Sequence, residues 1–112
     1  MNKYVIFAFN GNQMCFVHVL LNALDMESKG LEGKIVIEGE AVKLIKVMEE
    51  SANPLYLKVK EKGLIDAVCK GCSAKMGVLE FNEGTGLPIV GDMSGHPSME
   101  SYISKGYHII TL

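Results

Sequence analysis

Arginine is absent: all eleven basic residues of the 112-residue chain are lysine. Arginine is the usual fork for gripping a phosphate or carboxylate at two points, so functions that need such a fork are not expected. Blocks of like charge are also missing, and the formal net charge is only −2. Neither nucleic acid nor an anionic membrane is therefore expected as a partner. No apolar run is long enough for a secretory core or a membrane span; the first, Tyr4 to Phe9, is a strand pattern that ends at Asn10-Gly11-Asn12. Without a secretory signal, the odd number of cysteines, three, reads as free thiols in a reducing, cytoplasmic compartment. Repeats, low-complexity tracts and linkers are absent too, so residues 1–112 form one domain.

What is present is an alternation of strand and helix. Tyr4 to Phe9 is continuously apolar, which suits a strand buried on both faces. A helix is expected from about Met14 to Lys29, with Gly30 as its stop. Lys34 to Ile37 is a second strand, and Ala41, Leu44, Ile45 and Met48 share one helical face. Asn53-Pro54 reads as an N-cap followed by proline at the first helical position, opening a helix that ends at Gly63. Leu64 to Val68 is a third strand that ends at Cys69. A single helix from about Gly71 to Asn82, a short strand Leu87 to Val90, and a helix from Pro97 to Lys105 capped near Ser94 or His96 follow. Tyr107 to Leu112 is the fifth strand.

Strands separated by helices imply right-handed βαβ units: a flavodoxin-like, Rossmann-like three-layer α/β sandwich with a five-stranded, mostly parallel sheet. The expected strand order is 2-1-3-4-5, with ligands at the carboxyl ends of strands 1 and 3. That puts Asn10 to Cys15, Cys69 to Ser73 and Gly91 to Pro97 around the site. The first helix is apolar over most of its circumference, outside a stripe of His18, Asn22, Asp25 and Lys29, and predicts a homo-oligomer.

The expected site lacks the residues of several known chemistries. Phospho-acceptor aspartates are missing where a receiver domain needs them, because Cys69 ends the third strand. Asn10 to Met14 offers no hydroxyl for a flavin phosphate. Lys75, not arginine, stands six residues after Cys69, against the phosphatase pattern. GxxxxGK[ST] and GxGxxG are both absent. No cofactor and no resident metal is expected.

The informative segment is Val68-Cys69-Lys70-Gly71-Cys72-Ser73-Ala74-Lys75-Met76-Gly77-Val78. Cys69 ends a strand just before a helix begins, with Lys70 and Lys75 nearby, which predicts a lowered pKa. Gly71 leaves room for close backbone approach. Cys72 follows at CxxC spacing, a pattern shared by redox, metal and sulfur-transfer sites. Cys69 and Cys72 are the candidate catalytic residues, with Cys15, Lys70, Gly71, Ser73, Asn10, Gly11 and His96 in support. His96 could assist proton transfer from the loop after the fourth strand. His18 and His108 are expected at the surface, and Cys15 is expected to approach Cys69.

The short Rossmann-like layout, with Cys69 at the end of the third strand eight residues before Gly77, resembles the DsrE/DsrF/TusD family over essentially the whole chain. The resemblance implies a small cytoplasmic, oligomeric sulfur-relay protein. It also implies that Cys69 takes up sulfur as a persulfide between donor and acceptor proteins. Cys72 departs from one-cysteine carriage. Two other readings stay open: a dithiol redox protein using Cys69 and Cys72, and a metal-binding or assembly module using Cys15, Cys69, Cys72 and His18 or His96.

Overall fold

The computed structural model describes residues 2–112. Five strands, β1 (Lys3–Ala8), β2 (Glu32–Ile37), β3 (Ile65–Cys69), β4 (Ile89–Val90) and β5 (Tyr107–Thr111), form one sheet in which every pairing is parallel. The helices are α1 (Gln13–Ser28), α2 (Leu44–Ser51), α3 (Pro54–Glu61), α4 (Lys70–Lys75), α5 (Leu79–Glu83) and α6 (Met99–Ile103), with a 3-10 turn at Gly39–Lys43 before α2. The expected α/β class with a five-stranded parallel sheet is the observed one. Among the described residues no helix is long and apolar enough to cross a membrane.

The sheet runs β4-β3-β2-β1-β5. The expected pairing of β3 with β4 is present, but β2 stands between β1 and β3, where the expected order made those two neighbours. The chain steps in one direction through β1, β2, β3 and β4, then α6 carries it back past all of them to β5 beside β1. Right-handed crossovers put connections of opposite direction on opposite faces. Accordingly, Ile6, Ile35, Ile37 and Val68 pack with α1, α2 and α3 on one face, while Val5, Phe7, Val36 and Ala67 pack with Tyr102 of α6 on the other. Ile35, Val36 and Ile37 are fully buried because β2 is a central strand.

Local chemistry sets the helix boundaries. Asn53 caps α3 through its side-chain oxygen, which accepts from the amides of Leu55 and Tyr56, with Pro54 just inside. The expected helix from Gly71 to Asn82 is two helices. Gly77, at φ +74°, sits just past α4, Val78 N–H donates to Ser73 C=O at 2.9 Å, and Gly77 N–H donates to Ala74 C=O at 3.1 Å. These bonds form a Schellman motif, which stops a helix. The cap of α6 is Ser98, which accepts from Ser101 N–H at 3.2 Å, rather than Ser94 or His96. Ser94 (φ +51°) and Gly95 (φ +92°) are taken up by a tight turn instead. On α1, Phe16, Val19, Leu20 and Ala23 are buried, and α3 packs alongside, so the apolar circumference is largely covered within one chain. Met14 and Leu21 remain exposed.

Asn82 of α5 ties the site's supports together. Its buried amide donates to Val42 C=O at 3.2 Å and to Ser73 Oγ at 3.0 Å, joining the turn after β2 to α4. Replacing Asn82 with alanine leaves the buried Ser73 hydroxyl without this partner and is expected to cost about 1–3 kcal/mol, read from urea unfolding.

Candidate dithiol site

The carboxyl ends of three adjacent strands converge on one cluster. Glu38 follows β2, Cys69 ends β3, Cys72 lies in the first turn of α4, and His96 is in the loop after β4. Cys69 Sγ lies 2.8 Å from Cys72 Sγ, 3.1 Å from His96 Nδ1 and 3.7 Å from Gly95 C=O. Cys72 Sγ lies 3.6 Å from His96 Nδ1, and Glu38 Oε1 lies 3.5 Å from the same nitrogen. The backbone makes this convergence. Cys69 is itself the N-cap of α4, its sulfur accepting from Cys72 N–H at 3.2 Å, so the cap geometry holds the two thiols together. The turn at Met93-Ser94-Gly95-His96 is closed by Met93 N–H to His96 C=O at 2.8 Å and His96 N–H to Met93 C=O at 2.9 Å. Both central residues have positive φ, as a tight two-residue hairpin turn requires. Gly71 N–H donates to Gly95 C=O at 2.7 Å and fastens that turn to α4.

Gly71 therefore does admit a close backbone, but the backbone is that of Gly95. A Cβ at Gly71 would lie 2.9 Å from Gly95 O. Ser73 is buried and supports α4 through Asn82 without facing the thiols, and Lys70 is exposed. Asn10 and Cys15 line a separate depression with His18 and Leu112. Cys15 is exposed and is not one of the four residues of the cluster, since β2 separates the end of β1 from the end of β3. Gly11 packs on Glu40, where an added Cβ would lie 2.9 Å from Glu40 Cβ. His18 and His108 are exposed, as expected.

Glu38 is the residue that sequence reasoning missed. It directly follows Ile35-Val36-Ile37, and a carboxylate at the carboxyl end of a fully apolar strand is a signal in its own right. With β2 assigned to an outer position, it pointed to nothing. Its side chain faces a cleft of about 340 Å³ lined by Phe9, Met93, His96, Pro97 and Met99 among others.

The electrostatics reverse one expectation. Cys69 is 0% exposed, and burial, followed by the hydrogen bond to Cys72, pushes its thiol up to about 12 instead of down. Burial likewise raises the Glu38 carboxyl, partly offset by His96. The protonated Cys69 thiol is favoured by the fold, so the stability this contributes is present below the unfolded-state value of 9.0 and is lost as pH rises from there towards about 12. Tyr56 and Tyr102, buried and donating to Glu49 and Asp66, shift the same way. Urea midpoints of the reduced protein are expected to fall steadily above pH 9, and Cys69→Ala should flatten the first part of that fall. In the same protein Cys15 should be alkylated first and Cys69 last.

The fold and the cluster together define a parallel α/β protein with a histidine-supported CxxC pair, one thiol buried and the other half-buried. The chain belongs to a family that includes a protein of Methanocaldococcus jannaschii named "Uncharacterized protein MJ0733", to which it is 36% identical over 104 residues, spanning 90% of this chain and 83% of the relative. An Archaeoglobus fulgidus protein, named only "Uncharacterized protein", is 41% identical over 39 residues, covering 35% of this chain and 64% of that one. No family model and no solved structure matches the chain.

Proposed function

We propose that the protein handles sulfane sulfur at the Cys69–Cys72 pair, as its resemblance to the DsrE-like sulfur-relay proteins implies but with Cys72 in place of the expected Cys69 as the residue that takes up the sulfur, and exchanges it with donor and acceptor thiols in a reducing compartment. The observation that carries this reading is the 2.8 Å approach of the two sulfurs beneath His96. Cys69 is fully buried and Cys72 only partly so, which makes Cys72 the entry point. The Cys72 thiolate attacks the outer sulfur of a donor persulfide; the donor S–S bond breaks, the donor leaves as a thiolate, and Cys72 holds the new persulfide. An acceptor thiolate can then take the outer sulfur. Where none is present, Cys69 yields its proton to His96 Nδ1 and attacks Cys72 Sγ. A Cys69–Cys72 disulfide forms, hydrosulfide leaves, and the two electrons of the dithiol have reduced the sulfane sulfur. A cellular dithiol restores the pair. The sulfurs, 2.8 Å apart, already stand inside the roughly 3–3.5 Å separation of a near-attack arrangement, so this second step needs no approach.

Intact mass after incubation with a small-molecule persulfide tests the reading: a gain of about 32 Da marks stored sulfur, and a loss of about 2 Da with released sulfide marks the resolved pair. Reduced protein that shows neither would refute it. Self-association through exposed Met14 and Leu21 of α1 belongs to the same proposal, and light scattering reads it directly.

A further inference from the structure

We infer that Glu38, Cys69, Cys72 and His96 form a tetrahedral site for a divalent zinc ion. This stands apart from the sulfur-exchange reading, because coordination moves no electrons and needs no donor. The first ground is position. One ligand atom from each of the four residues lies within 4.8 Å of every other. Zinc bonds of about 2.3 Å to sulfur and 2.0 Å to nitrogen or oxygen put tetrahedral ligand atoms roughly 3.3–3.8 Å apart. The imidazole nitrogen already stands 3.1 and 3.6 Å from the two sulfurs and 3.5 Å from the carboxylate. Among these distances the sulfurs, at 2.8 Å, stand furthest from the target and must part by about 1 Å to reach the spacing of a zinc dithiolate.

The second ground is Glu38 itself. Its residue is 7% exposed, and among the described residues its salt-bridging partner is His96 alone, with no lysine joining it. Buried carboxylates are retained where they are paired with a cation or coordinate one. His96 is a weak answer, because its side chain is 44% exposed and already faces both thiols. A divalent ion at the centre of the four atoms would answer the carboxylate and both thiolates together.

The third ground is the donor set. Two sulfurs, one imidazole nitrogen and one carboxylate oxygen suit a borderline-soft tetrahedral ion and exclude calcium or magnesium, which take oxygen. The surroundings of the ligands are also fixed: Cys69 Sγ accepts Cys72 N–H, and the His96 turn is held to α4 by Gly71 N–H on Gly95 C=O. Such outer contacts orient ligands and contribute to affinity. The ligands come from three strand ends and α4, so of the familiar zinc spacings only one close pair, Cys69 and Cys72, occurs in the sequence, and Glu38 and His96 take the place of a second.

Cobalt is the probe. The full-length protein, reduced and stripped with chelator, is titrated anaerobically with Co²⁺. The expected result is one equivalent bound, with a thiolate-to-cobalt charge-transfer band and the intense visible bands of tetrahedral cobalt, both erased by Zn²⁺. X-ray absorption of the zinc form should show two sulfurs at about 2.3 Å and two nitrogen or oxygen atoms at about 2.0 Å. Glu38→Gln, which keeps size and shape and should leave the circular dichroism of the metal-free protein unchanged, is expected to weaken binding at least tenfold, and Cys72→Ser to weaken the charge-transfer band. Cys15→Ser should change nothing. Reduced, folded protein that gives no thiolate–cobalt band overturns the inference. So does affinity that survives Glu38→Gln, or binding that Cys15→Ser abolishes. Failure of the persulfide assay alone would leave all these readouts intact, and their failure would leave the persulfide assay intact.

Discussion

In a Cys15→Ser background, which removes the exposed third thiol, Cys72→Ser is expected to take up no sulfane sulfur, whereas Cys69→Ser is expected to take it up and keep it. The asymmetry follows from burial. The two sulfurs share one helix start, but Cys69 sits at the end of a central strand with no exposure, and Cys72, one turn on, is partly exposed. A donor persulfide meets Cys72 first. In Cys72→Ser the remaining thiol of the pair stays buried, and burial, the largest cause of its raised pKa, still favours the protonated form. Near neutral pH its thiolate fraction is then below that of an ordinary thiol of pKa about 8.5. In Cys69→Ser the entry step is untouched, but no second thiol can expel hydrosulfide. The variant should show the gain of about 32 Da and little released sulfide, where the parent protein shows the disulfide. Intact mass and sulfide assays run side by side distinguish these outcomes. Equal persulfide formation in both variants would mean that the pair has no order, and the entry role of Cys72 would fall.

The same contrast shows how far the sequence reaches. Periodicity and turn chemistry gave each strand to within about two residues, and Asn53-Pro54 marked a helix start that the structure keeps. The Cys69–Cys72 pair and the nearness of His96 were legible because β3 and β4 are consecutive and adjacent. The order of the inner strands was not legible. A strand buried on both faces reads as the same apolar run whichever neighbours it has, so nothing in Val5 to Ala8 says whether β2 or β3 lies beside it. That one ambiguity removed Glu38 from the expected site and brought Cys15 into it. Burial also outweighed the lysines that follow Cys69. Lys70 and Lys75 are both exposed and stay in water, and α4 is only six residues long, so desolvation dominates at Cys69.

Gly71→Ala should disable the site while leaving the fold in place. In most helices this change is favourable by about 1 kcal/mol, since alanine has the higher propensity. The backbone of Gly71 is not in the left-handed region, so no conformational strain opposes it. Space is the obstacle. The new Cβ would lie 2.9 Å from Gly95 O and 3.4 Å from Gly95 C, which are backbone atoms that cannot rotate away. The turn bearing them is braced by the paired Met93 and His96 bonds and by Gly95 N–H on Gly91 C=O at 3.1 Å. It must therefore shift as a unit, stretching the 2.7 Å bond from Gly71 N–H and carrying His96 off the thiols. Overpacking of this kind costs about 1–3 kcal/mol, part of which the propensity gain offsets. Displacing a reacting group by about 1 Å can cost on the order of a hundredfold in rate. Sulfide release by Gly71→Ala is expected to drop by at least about tenfold, with helix content unchanged. Gly84→Ala is the control: there the added Cβ meets nothing nearer than Phe81 O at 3.4 Å, at a helix end with φ −78°, and sulfide release should be that of the parent. If Gly71→Ala releases sulfide at the parental rate, the His96 turn is not needed for sulfur exchange, and the proton must leave Cys69 by another route.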